Sequence, residues 1–271
     1  MRIVPAITIL CLLLAAPVGA KNRGADGHFE KRESSHFVLY QDVDIDRTSG
    51  FHGSRRFESR VLDTLEEAYD ELHDRLGLRP KRRLQVTIYD PDIFDAQFAG
   101  QFRFAAAGFY NGTIYIRGDT QVGAALVRTL YHELVHAAFA AEAPAMVLPA
   151  WLNEGVAEWF EARAIGKRRL SAQENAALAT ISGQGQLFTL AQLSAPTFGH
   201  LGPRSARLAY LQSYAFIEYL DRHYGDDSLR RLCSTLLRKG NLHRAIELTY
   251  RLKLDQLEKR FASEHGGSFG G

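Results

Sequence analysis

The chain of 271 residues is poor in cysteine: it has two, Cys11 and Cys233, and Cys11 falls in a segment expected to be removed. With Cys233 alone remaining, no intramolecular disulfide can form even in an oxidising compartment, so stability must come from packing, with metal binding as an addition. Strong charge of either sign is also missing. Thirty-three Lys and Arg against 31 Asp and Glu give a formal net charge of +2, which argues against a nucleic-acid binder. The short basic runs at 81–83 and 167–169 read as solvated ends of helices or strands. There is no internal repeat, and the only low-complexity stretch is the terminal GGSFGG. Beyond residue 20 no apolar run approaches the roughly 20 residues needed to cross a bilayer, so no stable membrane span is expected in the mature chain.

The single long apolar run opens the sequence. Arg2 supplies a short positive region, Ala6 to Ala16 is almost unbroken apolar sequence, and Val18-Gly19-Ala20 offers the small-residue pattern that signal peptidase cuts. Residues 1–20 therefore read as a signal peptide and the protein as exported, to the periplasm or the extracellular space. Thr8 and Leu10 are not the small residues that a lipidated Cys11 needs before it.

About 250 residues remain, 46% of the whole chain being hydrophobic and 24% charged, enough for one large domain or two lobes sharing a cleft. Residues 21–34 are polar and aperiodic and read as a flexible arm. From 35 to 120 the pattern is that of a small α/β lobe with a mixed sheet. HFVLYQDVDI alternates as a strand, and Phe57, Val61, Leu65, Ala68, Tyr69, Leu72 and Leu76 recur at helical spacing before Gly77. LQVTIYD (84–90) is a second strand, and residues 102–119 form a hairpin turning at Asn111-Gly112, a dipeptide that accepts positive φ. From 121 to 265 the strand signal gives way to helices at 121–142, 149–163, 203–224 and 227–239. Shorter helices are expected near 171–179, 188–194, 241–249 and 254–263, and 266–271 reads as a disordered tail. The expected class is α+β.

Within the helical part, "TLYHELVHAAFAAEAPAMVLPAWLNEGVAEWFEAR" (129–163) carries the chemistry. Residues four apart on a helix point within about 40° of each other, so His132 and His136 can present two imidazoles to one metal ion. Glu133 lies between them, within reach of a water on that metal without being a ligand. A catalytic zinc site usually has three protein ligands, and the third is expected from a separate element. WLNEGVAEWFE supplies it: Glu154 stands far enough beyond His136 for one helix to finish and the chain to return. Glu158, one turn later, would place a second carboxylate near a ligand imidazole.

HELVH followed by WLNEGVAEWFE resembles the gluzincin metallopeptidases, the group that includes thermolysin and aminopeptidase N, and in layout most nearly the peptidase MA-like group of small exported proteins. The likeness is strong over 129–161, traceable over 203–225, and architectural over the first lobe. It implies a zinc cleft between the lobes, one Zn2+ per chain held by His132, His136 and Glu154, Glu133 as the catalytic base, and Glu158 orienting a histidine. It further implies hydrolysis of a peptide or protein substrate through a zinc-activated water. YLQSYAFIEYL (210–220) resembles the stretch where gluzincin aminopeptidases keep an oxyanion-stabilising tyrosine. Tyr210 aligns best with it and Tyr214 is the near competitor, although tyrosines at helical spacing also pack cores; His200 and His223 are the next candidates. AAAGFYNG departs from the aminopeptidase pattern, because it lacks the acid of the glycine-methionine-glutamate signature that captures a substrate amine. Endopeptidase activity is therefore expected over aminopeptidase activity. The alternative is a zinc-binding scaffold of the same fold without turnover.

Overall fold

The computed structural model describes residues 27–45, 53–101, 106–225 and 227–266. The expected signal peptide, the start of the hairpin at 102–105 and the tail at 267–271 lie outside the described residues. Five strands form one mixed sheet: β1 (Glu30–Glu33), β2 (Phe37–Asp42), β3 (Leu84–Tyr89), β4 (Gly108–Tyr110) and β5 (Ile114–Arg117), in the order β1-β2-β3-β5-β4. The inner three run parallel, and each outer strand is antiparallel to its neighbour. Nine helices occur among the described residues: α1 (Gly53–Leu76), α2 (Pro91–Gln97), α3 (Ala124–Glu142), α4 (Ala150–Ala164), α5 (Ala172–Gly183), α6 (Pro203–Tyr224), α7 (Ser228–Lys239), α8 (Leu242–Tyr250) and α9 (Leu254–Glu264). The class is α+β, as the patterning predicts.

The period-2 and period-3.6 patterns meet in the core. Phe37 and Leu39 of β2, Val86 and Ile88 of β3, and Ile114 and Ile116 of β5 are buried, as is the whole apolar stripe of α1. These side chains belong to the same continuous core as those of α3, α4 and α6, so the sheet and the helical part are not separately packed bodies. The turn at Asn111-Gly112 is present: Gly112 has φ +77° and the Asn111 N–H donates to the Thr113 carbonyl at 3.0 Å.

Two expectations need correction, and one element was not foreseen. Residues 30–33, read as part of a flexible arm, form the edge strand β1. The segment lacks an apolar period, but it pairs with β2, and Arg32 ion-pairs with Glu58, a buried carboxylate of α1 that also accepts from Gln41 Nε2 at 3.0 Å. Residues 188–194 form a turn instead of a helix. Leu193 and Ala195 direct their carbonyls to the N–H groups of Trp151 and Ala150 at 3.1 and 2.9 Å, so this segment satisfies the N-terminus of α4. Helix α2, missed by periodicity, starts on the Asp90-Pro91 pair, where the Asp90 carboxylate accepts from Asp92 N at 3.1 Å.

Helix α4 is the element that positions the site. Trp151, Leu152, Val156, Ala157, Trp159 and Phe160 are buried around its circumference, the signature of a helix enclosed by others, and its main neighbours are α3 and α6. Gly155 permits the close approach to α6: a Cβ there would stand 2.7 Å from the Ser213 carbonyl oxygen and 2.8 Å from Ile217 Cγ1.

Candidate metal centre

Helix α3 buries Leu126, Leu130, Leu134, Val135 and Phe139 and turns His132, Glu133 and His136 toward a cavity of about 1110 Å³. Across it, α4 contributes Glu154. The His132 and His136 Nε2 atoms are 3.1 Å apart, and Glu154 Oε2 lies 3.5 Å from each. Two imidazole nitrogens and one carboxylate oxygen converge within 4.8 Å of one another. Ligand atoms on a tetrahedral zinc at about 2.0–2.2 Å are separated by roughly 3.3–3.5 Å, so the donor set fits such an ion in chemistry and in spacing.

The far side of each imidazole is held as a metal ligand requires. His136 Nδ1 is 3.1 Å from Asn153 Oδ1, and His132 Nδ1 is 3.2 Å from Glu161 Oε2. Those acceptors take the Nδ1 proton of each ring and so leave Nε2, on the Glu154 side, as the nitrogen available to a metal ion. Glu161 in turn accepts from Arg128 Nε at 3.0 Å and also from its terminal nitrogen. The oxygen acceptor for His132 is therefore Glu161 and not Glu158, to which the sequence reading gave that task. At 100° per residue, Glu161 is displaced about 20° around α4 from Glu154 and Glu158 about 40° to the other side, so Glu161 is the better aligned with the ligand face. Asn153, Glu161 and Arg128 were missed. Glu161 lies inside the quoted motif, seven residues after Glu154, and that interval is the one signal that points to it.

The cluster perturbs its own proton affinities. Burial raises Glu154, but the imidazoles of His136 and His132 outweigh it and hold the carboxyl well below its ordinary range. Burial lowers the two imidazoles, yet Glu154, joined at His132 by Glu161, leaves both raised. Glu133 is raised by burial against the pull of the neighbouring histidines; it is 5% exposed, and its Oε2 has no hydrogen-bond partner among the described residues. Glu158 lines the cavity and is pushed up to about 7, first by burial and then by the charge of Glu161.

Tyr210 of α6 lines the same cavity, with its ring edge-on to Phe198 at 5.1 Å. Its hydroxyl is raised by burial and then by Glu154, Glu158 and Glu133, which places it in the field of the metal-site carboxylates. Tyr214 is buried outside the cavity lining, beneath the Lys167 ammonium at 4.7 Å from its ring centre. His200 is bound to the Thr197 carbonyl and His223 to Glu264; neither lines the cavity. The opposite wall is β4, whose Gly108, Phe109 and Tyr110 line it from the edge of the sheet. A Cβ at Gly108 would meet Thr129 Cγ2 of α3 at 2.9 Å, so glycine brings this edge against the histidine helix.

A family profile described as the Peptidase MA superfamily matches residues 64–264, which includes every residue of this centre. No curated protein matches the chain.

Proposed function

The chain belongs to the peptidase MA superfamily, and from that premise we propose that it is a zinc-dependent endopeptidase. The observation that carries the reading is the convergence of His132, His136 and Glu154 beside Glu133, a buried carboxylate with an oxygen left unpaired. His132, His136 and Glu154 would hold one zinc ion. Zinc supplies a Lewis acid that makes water acidic enough to release a proton near pH 7, at a pKa of about 7, and that polarises a carbonyl.

The chain's own groups account for the rest. Glu133, on the cavity wall between the residues that would hold zinc, takes the proton of the attacking water and delivers it to the leaving amide nitrogen. The Tyr210 hydroxyl, kept protonated by its surroundings, donates a hydrogen bond to the developing oxyanion, an effect on the order of 3 kcal/mol. Asn153 and Glu161 fix the two imidazoles and thereby the position of the reacting bond. The outer edge of β4 has no strand partner among the described residues and offers main-chain groups to an extended peptide. Ala106, Ala107, Gly108, Phe109 and Tyr110, the described residues at and before that edge that line the cavity, include no acid at the place where the aminopeptidase signature would capture a terminal amine, which favours internal cleavage.

Export belongs to the same reading, supported by the residue pattern of 1–20. No helix among the described residues is long and apolar enough to cross a membrane. Digestion of a mixed library of free and N-acetylated peptides by the zinc-loaded protein tests the proposal. Both sets should be cut internally, and chelation should stop the reaction. Trimming confined to free N-termini would replace the endopeptidase with an aminopeptidase.

A further inference from the structure

Four carboxylates surround the metal centre, and three are accounted for. Glu154 lies between the two Nε2 atoms. Glu161 has both oxygens engaged, Oε1 by Arg128 and Oε2 by His132. Glu133 sits between the ligand histidines as the proposed base. Glu158 is different: it lines the cavity wall, is only partly buried, and its carboxylate has no hydrogen-bond or ion-pair partner among the described residues. Arg128, the cation on that wall, gives its hydrogen bonds to Glu161 and reaches Glu158 only by its charge across the cavity wall.

The cavity is also polarised along α3. On one side of the histidines it is lined by Arg128, Glu158 and Glu161; on the other by Phe139, Ala143, Met146 and Leu148. Arg128 and Phe139 are separated by about 16 Å at 1.5 Å per residue, enough for the substrate residues on either side of one scissile bond. A carboxylate without a partner in a partly desolvated wall is costly by itself, and an incoming cation relieves that cost.

We propose that Glu158 is a specificity residue that binds a cationic group of the substrate, an ammonium or guanidinium placed on the Arg128 side of the scissile bond, while the other side takes a large apolar residue. This rests on the peptidase reading and names its substrate class. Because the peptidase reading is one of internal cleavage, the cation is a Lys or Arg side chain of the substrate, and a free N-terminal amine, which presents the same chemistry to Glu158, is the alternative that the test must separate.

The test uses zinc-loaded protein and matched peptides that differ at one position flanking the scissile bond, Lys or Arg against Gln, each with a free or an acetylated N-terminus. At one flank the basic residue should raise kcat/KM by roughly 10- to 100-fold over Gln, as expected for a hydrogen bond to a charged group. Glu158→Gln should bring that ratio to about 1, and Glu158→Lys should invert it in favour of Glu. Acetylation is the control: the preference for the basic residue should persist on acetylated peptides, whereas a rate gain that follows the free terminus whatever the flanking residue would make the cation a terminal amine and overturn the side-chain assignment. Cleavage with no preference for a cation in the wild-type protein, or a preference that Glu158→Gln leaves unchanged, overturns the inference alone. A protein that binds zinc stoichiometrically and cuts no peptide overturns the peptidase reading and the inference with it.

Discussion

Glu154, Glu158 and Glu161 share one side of α4 and meet three different surroundings, which their substitution should separate. Glu154 faces both imidazoles, Glu161 holds the back of His132, and Glu158 touches neither by hydrogen bond. Loss of a ligand removes a bond to the metal, whereas loss of a partner to a ligand typically costs 10- to 100-fold in affinity. In a competition titration, Glu154→Ala should therefore lose most zinc affinity, Glu161→Ala should lose about 10- to 100-fold, and Glu158→Ala should stay near the wild type. A larger loss for Glu158 than for Glu161 would restore the assignment that motif spacing alone suggested. Tyr210 is separated from Tyr214 in the same way. Tyr210→Phe should leave zinc content and melting temperature nearly unchanged and lower kcat by about 100-fold with little change in substrate affinity, because the donor acts on charge present only in the transition state. Tyr214→Phe, altering a side chain outside the cavity, should affect kcat much less. Steady-state kinetics on both variants decides the order.

At the scale of the element, the contact between α4 and α6 sets where Tyr210 stands relative to Glu154. Two effects compete in Gly155→Ala. Alanine improves helix propensity by about 1 kcal/mol, but its Cβ would be 2.7 Å from the backbone oxygen of Ser213, which cannot rotate away. Overpacking of this kind costs typically 1–3 kcal/mol, so the variant should melt several degrees lower. A rise in melting temperature would show that the two helices can part without cost. The same level explains what could be read in advance. The imidazole pair was legible because both histidines lie on one helix, where spacing alone dictates direction. The His132 partner was not, because it depends on the rotation and height of a second helix packed across the cleft. The alternation of β2 and β3 and the stripe of α1 were legible as direct products of burial on one face. The turn at 188–194 was not, since its carbonyls serve α4, a partner far away in sequence, and α2 is too short for its period to register.

At the scale of the molecule, a sheet edge and a set of helices that share one core line a single cavity, with His132, His136 and Glu154, the group that could hold a metal ion, on its wall. The chain thereby combines a convergent donor set with a strand edge that has no partner among the described residues, the surface that the proposed function assigns to an extended peptide. Everything in the account depends on Glu133 being the group that moves the proton, and Glu133→Gln isolates that role, since the amide preserves shape and removes basicity. The variant should retain one zinc per chain by elemental analysis and the melting temperature of the wild type to within a few degrees, yet hydrolyse a peptide cut by the wild type more than about 100-fold more slowly. Zinc retained with activity within tenfold of the wild type would contradict the account, because some other group would then be the base.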